Sequence, residues 1–166
     1  MYQHLSHTLP IFINECSKYL ILGSFPSVKS RKVMFYYGHP RNRFFPTLYK
    51  IFNEEHSFDV SKRKEFLIRH NIALYDVIEE CDIEGSNDSS IINVKPIDIV
   101  SILNKYPNIK VIGITGAKAS KLFVRCLYDL VSPYNIKIVF LPSTSPANAT
   151  ITDEALVEAY KSLFCF

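Results

Sequence analysis

Apolar residues fall along this chain in four short runs: Tyr19-Leu20-Ile21-Leu22, Ile72-Ala73-Leu74-Tyr75, Val111-Ile112-Gly113-Ile114 and Ile136-Lys137-Ile138-Val139-Phe140-Leu141. Three of them are rich in Ile and Val, and all are bounded by turn residues, the pattern of strands buried on both faces. Longer stretches with helical spacing lie between them: Phe44 to Phe52, Lys62 to Arg69, Pro96 to Tyr106 and Ala117 to Leu130. A last helix is expected from about Asp153 to Leu163, with Thr152 as its N-cap. Strands alternating with helices imply parallel pairing through right-handed crossovers. The expected fold class is α/β, a three-layer α/β/α sandwich around a central four-stranded parallel sheet. The stretch from Asp82 to Ser90 is polar and turn-rich and reads as a loop.

The 166 residues suit one domain spanning 1–166. No run approaches the roughly 20 apolar residues of a membrane helix, and the first residues do not read as a signal peptide. A cytoplasmic protein with no membrane partner is therefore expected. Cys16, Cys81, Cys126 and Cys165 are far apart with no CxxC pair, which argues against a zinc site or an iron–sulfur cluster. The net charge of +3 permits nucleic-acid binding without requiring it. Its distribution says more: Lys29, Arg31, Lys32, Arg41 and Arg43 crowd one stretch that contains no acid.

Ligands of parallel α/β folds bind where strands end at their carboxyl edge. That rule selects Gly23 to Ser27, Asp76 onward, Thr115-Gly116-Ala117-Lys118, and Pro142 to Pro146. Gly23 to Ser27 is neither a P-loop nor a GxGxxG fingerprint, so alone it reads as a strand-to-loop turn. The run Phe35-Tyr36-Tyr37 precedes Gly38-His39-Pro40-Arg41-Asn42-Arg43, and three consecutive rings cannot all point inward on a strand or helix. Aromatics interleaved with arginines fit base stacking beside phosphate contacts, and core packing explains them equally well. Ser143, Thr144 and Ser145 between two prolines form a donor-rich loop suited to phosphate oxygens, or a capping loop before the last helix. Lys118 opens a helix and is either a phosphate contact or a surface residue.

Taken in order, these segments resemble the uracil-DNA glycosylase superfamily, and most of all its hypoxanthine-DNA (deoxyinosine) branch. The resemblance rests on Leu22-Gly23-Ser24-Phe25-Pro26-Ser27, Tyr36 to Phe45, Ala73-Leu74-Tyr75-Asp76-Val77, Gly85 to Ser89 and Leu141-Pro142-Ser143-Thr144-Ser145-Pro146-Ala147-Asn148. It implies a monofunctional, monomeric glycosylase that flips a deaminated base, hypoxanthine or uracil, out of DNA and hydrolyses its glycosidic bond. It implies no metal or organic cofactor. Many members of the superfamily hold the attacking water with a polar residue in the first loop; in the mismatch-specific pattern it directly precedes the proline. Here that position is Phe25, and the deoxyinosine branch assigns the role to the Asn of the His-Pro-x-Asn stretch, Asn42.

On this resemblance Asn42 is the catalytic residue, and Gly23, Ser24, Phe25, Tyr37, His39 and Asp76 form the base pocket. Tyr37 stacks on the flipped base, and N–H groups after the first two apolar runs stabilise the departing base. Ser27, Arg41, Lys118, Ser143, Thr144 and Ser145 face DNA phosphates, and Ala147 and Asn148 lie near the gap left in the duplex. His39 either stabilises the leaving base or braces the loop before Pro40, and Asp76 either contacts the pocket or braces a turn. Two rival readings remain: a non-catalytic nucleic-acid-binding module on the same fold, motivated by Phe25, and a glycosylase restricted to uracil or mismatched bases.

Overall fold

The computed structural model describes residues 1–85 and 88–164. Ser86 and Asn87 of the Gly85 to Ser89 segment, and Cys165, lie outside the described residues. The four apolar runs form the four parallel strands expected: β2 (Tyr19–Gly23), β3 (Ile72–Asp76), β6 (Val111–Thr115) and β7 (Lys137–Leu141), in the order β3-β2-β6-β7. Alternate residues feed two cores. Leu20, Leu22, Ala73, Ile112 and Ile114 pack against α4 (Ile99–Lys105), α5 (Ala117–Cys126) and α6 (Tyr128–Val131). Tyr19, Ile21, Ile72, Leu74 and Val111 face α2 (Phe44–Ile51), α3 (Val60–Arg69) and α7 (Asp153–Lys161). Burial on both faces is why β2, β3 and β6 read as unbroken apolar runs, while β7 at the sheet edge leaves Lys137 and Phe140 exposed.

Among the described helices, four start where a side chain supplies a cap, while α2, α5 and α6 start without one. Thr152 accepts the Ala155 N–H at the start of α7, as expected. Asp59 does the same for Lys62 at α3, and Ser27 for Ser30 at a short helix, α1 (Val28–Val33), which the sequence pattern did not show. Two helix boundaries need correction. The stretch from Pro96 becomes helical only at Ile99, after the Asp98 cap. The stretch from Ala117 breaks at Leu127 into α5 and α6.

The larger correction is a second sheet. Strands β1 (Gln3–Ser6), β4 (Ile78–Ile83) and β5 (Ile92–Pro96) pair antiparallel in the order β1-β4-β5. Asp82 and Ile83, expected in a loop, belong to β4. These strands lack a clean alternation. β1 is mostly exposed, the register of β4 with β5 shifts twice, and Pro96 ends β5. Only Val77 separates β3 from β4, so the second sheet is tied directly to the carboxyl end of the first. Among the described residues, no helix is long and apolar enough to cross a membrane.

Candidate active site

The register of the parallel sheet brings its strand ends level. Gly23 lies opposite Asp76, Leu22 opposite Ile114, and Thr115 opposite Leu141. Above this edge opens a cavity of about 720 Å³, within the range of ligand pockets. It is lined by Gly23 to Ser30, Tyr36, Tyr37, His39, Asn42, Asp76, Thr115 and Ser143 to Ala147. The stretch from 23 to 42, the ends of β3 and β6, and the loop 143–147 thus meet in one place.

At the floor, Gly23 is required for space. A Cβ there would come within 2.6 Å of Asp76 Oδ1 and 3.7 Å of both Thr115 Oγ1 and the Tyr37 hydroxyl. Asp76 is buried, and its Oδ2 lies 2.7 Å from His7 Nε2. Burial pushes the Asp76 carboxyl above its usual range, against the opposing pull of His7. Burial likewise pushes the Tyr37 hydroxyl up, Asp76 adds to the rise, and Thr115 tempers it. The N–H groups of Val77 and Ile78 donate to the carbonyls of Gly23 and Ser24. The loop after β3 therefore has these two donors already engaged, contrary to the expectation that both loops offer free N–H groups.

The aromatic run resolves into core and wall. Phe35 and Tyr36 are buried, and the Tyr36 hydroxyl donates to the Pro10 carbonyl at 2.9 Å. Tyr37 takes a left-handed backbone, φ 54°, and its half-buried ring packs at the edge of that core. One face stacks on Phe44 with centroids 3.7 Å apart and planes 11° from parallel. Asn42 Oδ1 accepts the Phe44 N–H at 2.9 Å, so its amide is held at the mouth of α2. His39 Nδ1 accepts the Arg41 N–H, which leaves Nε2 to carry the ring proton when the imidazole is neutral.

The third loop is braced internally. Ser143 Oγ accepts from the Ser145 N–H, Ser145 Oγ from the Ala147 N–H, and the Asn148 amide donates to the Ser143 carbonyl. Thr144 is only 2% exposed, and its carbonyl accepts the Arg43 N–H. Its side chain is thus turned inward, away from the phosphate contact the sequence suggested. Arg43 ties the loops together by donating to the carbonyls of Asn148 and Ile151 and pairing with Asp153.

Over 114 residues the chain is 37% identical to a protein named hypoxanthine DNA glycosylase from Methanosarcina barkeri, covering 68% of this chain and 72% of that one. A second protein of that name, from Methanosarcina acetivorans, is 31% identical over 141 residues, 84% of this chain and 85% of its own. A solution structure of a Methanosarcina acetivorans protein, described as a candidate uracil-DNA glycosylase, superposes with a TM-score of 0.78 at 26% identity, covering 99% of this chain and all of that one. This chain belongs to the hypoxanthine-DNA glycosylase branch of the uracil-DNA glycosylase superfamily. No protein-family model matches it.

In this DNA glycosylase the cavity gathers the expected pocket residues Gly23, Ser24, Phe25, Tyr37, His39, Asn42 and Asp76, together with Ser27, Ser143, Thr144, Ser145 and Ala147. Arg41, Lys118 and Asn148 are not among its lining residues. Thr115, in a segment that the strand-edge rule selected without giving this residue a role, reaches the floor as the last residue of β6. His7 had no counterpart in the sequence reading. It comes from the end of β1, and its only sequence signal was a strand-end Asp that, once buried, needs a partner.

Proposed function

We propose that this glycosylase removes hypoxanthine from DNA by hydrolysis, without cleaving the strand, and that the cavity at the sheet edge receives the flipped nucleotide. The observation that carries this reading is the convergence of Tyr37, Asn42 and Asp76 on one cavity of about 720 Å³, roomy enough for a whole flipped nucleotide. Flipping costs a few kcal/mol and least for a mispaired base. Phe44 backs one face of Tyr37, and the other face stacks on the base, a contact worth about 1–3 kcal/mol.

Asn42 Oδ1 already accepts the Phe44 N–H. Its second lone pair accepts a hydrogen from the attacking water. An amide is too weak a base to ionise water, so its contribution is position. The C1′–N9 bond breaks through an oxocarbenium-like state, its electron pair leaving on the base. The water oxygen bonds to C1′, and the water proton ends on the departing base. The Ser24 and Phe25 N–H groups make no hydrogen bond among the described residues and stabilise the charge on that base. Lys29, Ser27, Ser143 and Ser145 line the same cavity and meet the phosphates on either side of the flipped nucleotide, with Arg41 and Lys118 further out. The protein acts as a monomer, which light scattering with and without DNA checks.

The test is to incubate the protein with duplexes carrying one hypoxanthine, uracil or G·T mismatch and then treat with alkali. Cleavage at hypoxanthine is expected. Its absence on all three substrates sinks the reading, and cleavage only at uracil moves the substrate.

A further inference from the structure

The buried pair that the mechanism above leaves unused is His7–Asp76. Side-chain exposures are 2% and 7%, so this is an interior hydrogen bond, at 2.7 Å. The His7 ring packs against Tyr75, Phe25 and Tyr36 at centroid distances of 4.7, 5.8 and 6.2 Å. Its Nδ1 is buried with no hydrogen-bond partner among the described residues. The groups facing the Asp76 carboxyl are His7 from the end of β1, Tyr36 and Tyr37 from the loop before α2, and Tyr75 on its own strand, with Glu79 of β4 beyond Tyr75. Among the described residues, no lysine or arginine acts on it.

Three arrangements keep the pair electrically neutral. In the first, a charged imidazolium faces a carboxylate, and Nδ1 must then carry a buried N–H with no acceptor. In the second, a neutral imidazole donates Nε2–H to Oδ2, Nδ1 keeps a bare lone pair, and the acid proton sits on Oδ1. In the third, Oδ2–H donates to Nε2 of a neutral ring, and Nδ1 again carries a buried N–H with no acceptor. An unpaired buried donor costs more than an unpaired lone pair, most of all on a charged ring. The orphaned Nδ1 therefore selects the second arrangement. Oδ1 lies over Gly23 on the cavity floor, where Asp76 is a lining residue.

We propose that Asp76 works as an uncharged carboxylic acid whose Oδ1–H donates to the carbonyl oxygen that deamination leaves on a base, with His7 as the positioning residue that aims it. The proposal rests on the reading that a deaminated base enters this cavity. Deamination replaces an exocyclic amine, a donor, by a carbonyl oxygen, an acceptor. A fixed donor at Oδ1 therefore accepts hypoxanthine and meets the amine of adenine donor to donor. A buried site built for one hydrogen-bond polarity rejects the other strongly. Burial raises the Asp76 carboxyl, in keeping with an acid that stays protonated, so activity falls as pH rises through that elevated value.

The experiment is single-turnover release of hypoxanthine from a deoxyinosine duplex, beside a matched adenosine duplex, from neutral to alkaline pH. Asp76→Asn keeps an N–H at the Oδ1 position and an oxygen for His7. It retains the rate within about tenfold and loses the alkaline fall, whereas Asp76→Leu loses about 10²–10³-fold. His7→Leu slows release about tenfold and moves the alkaline fall upward, because the N–H that favours the ionised carboxyl is gone. His7→Gln, which keeps a side-chain N–H, restores both toward wild type. Asp76→Asn as inactive as Asp76→Leu at an unchanged melting temperature overturns the proposal, as does an alkaline fall that persists in Asp76→Asn. Carboxyl carbon NMR of aspartate-labelled wild type gives a readout that needs no variant. A buried aspartate protonated at neutral pH supports the proposal, and full ionisation overturns it. Wild type that releases no base from any deaminated duplex removes the underlying reading as well, an outcome distinct from a variant failure.

Discussion

Asn42 carries two tasks on one side chain, and they separate by substitution. Its Oδ1 satisfies the Phe44 N–H at the first residue of α2, so Asn42→Ala removes a side-chain-to-backbone hydrogen bond worth about 1 kcal/mol as well as the water's anchor. Asn42→Asp keeps that hydrogen bond. Melting temperature should fall only for Asn42→Ala, and base release should fall for Asn42→Ala by more than the stability loss explains. At Gly23 the constraint is spatial. A methyl group would sit 2.6 Å from Asp76 Oδ1, so Gly23→Ala displaces the carboxyl, and single-turnover release should drop by about 10²-fold or more. The sequence exposed Asn42 through its neighbours His39 and Pro40, and Asp76 through its place at a strand end. It could not expose His7, flanked by Ser6 and Thr8 and 69 positions from its partner, because nothing local distinguishes it from a surface histidine.

Among the elements, those buried on both faces were legible and those buried on one face were not. β2, β3 and β6 are runs of Leu, Ile and Val because cores lie on either side, and β7 keeps Ile138, Val139 and Leu141 although Lys137 and Phe140 are exposed. β4 places Ile78, Cys81 and Ile83 inward at unequal spacing, since its pairing with β5 shifts register, and that irregularity erased the period-two signal. The loop before α7 depends on a helix beyond it. The buried Tyr160 donates its hydroxyl to the Pro142 carbonyl at 2.6 Å. Tyr160→Phe leaves that carbonyl without this donor, so urea unfolding should show a loss of about 1–3 kcal/mol, with weaker binding of abasic-site DNA as the Ser143 to Ala147 segment loosens.

Across the whole molecule, the face opposite the sheet edge carries a charge network unrelated to the site. Glu54, just beyond α2, pairs with Arg69 and His70 at the end of α3. Burial alone would raise the Glu54 carboxyl, but hydrogen bonds from His70 and Arg69 outweigh it and hold the group below its ordinary value of 4.5. A depressed folded-state value means the stabilisation is present above about pH 4.5 and is lost as pH falls through the folded-state value. The difference in melting temperature between wild type and Glu54→Gln should therefore be largest near neutrality and shrink in acid. Scanning calorimetry at several pH values checks this, and base release by Glu54→Gln at neutral pH should match wild type.

Arg43 holds the Asn42 segment and the Ser143 to Asn148 segment as one body, through its own N–H to Thr144 and its guanidinium to Asn148, Ile151 and Asp153. For anyone recombining parts among relatives, these two stretches, some hundred positions apart, form a single cassette. A transplanted 141–148 loop should work only if the arginine that fits it travels too, and exchanging either half alone should misalign the other. Chimeras that swap one stretch or both, scored for hypoxanthine release, would read out that interdependence directly.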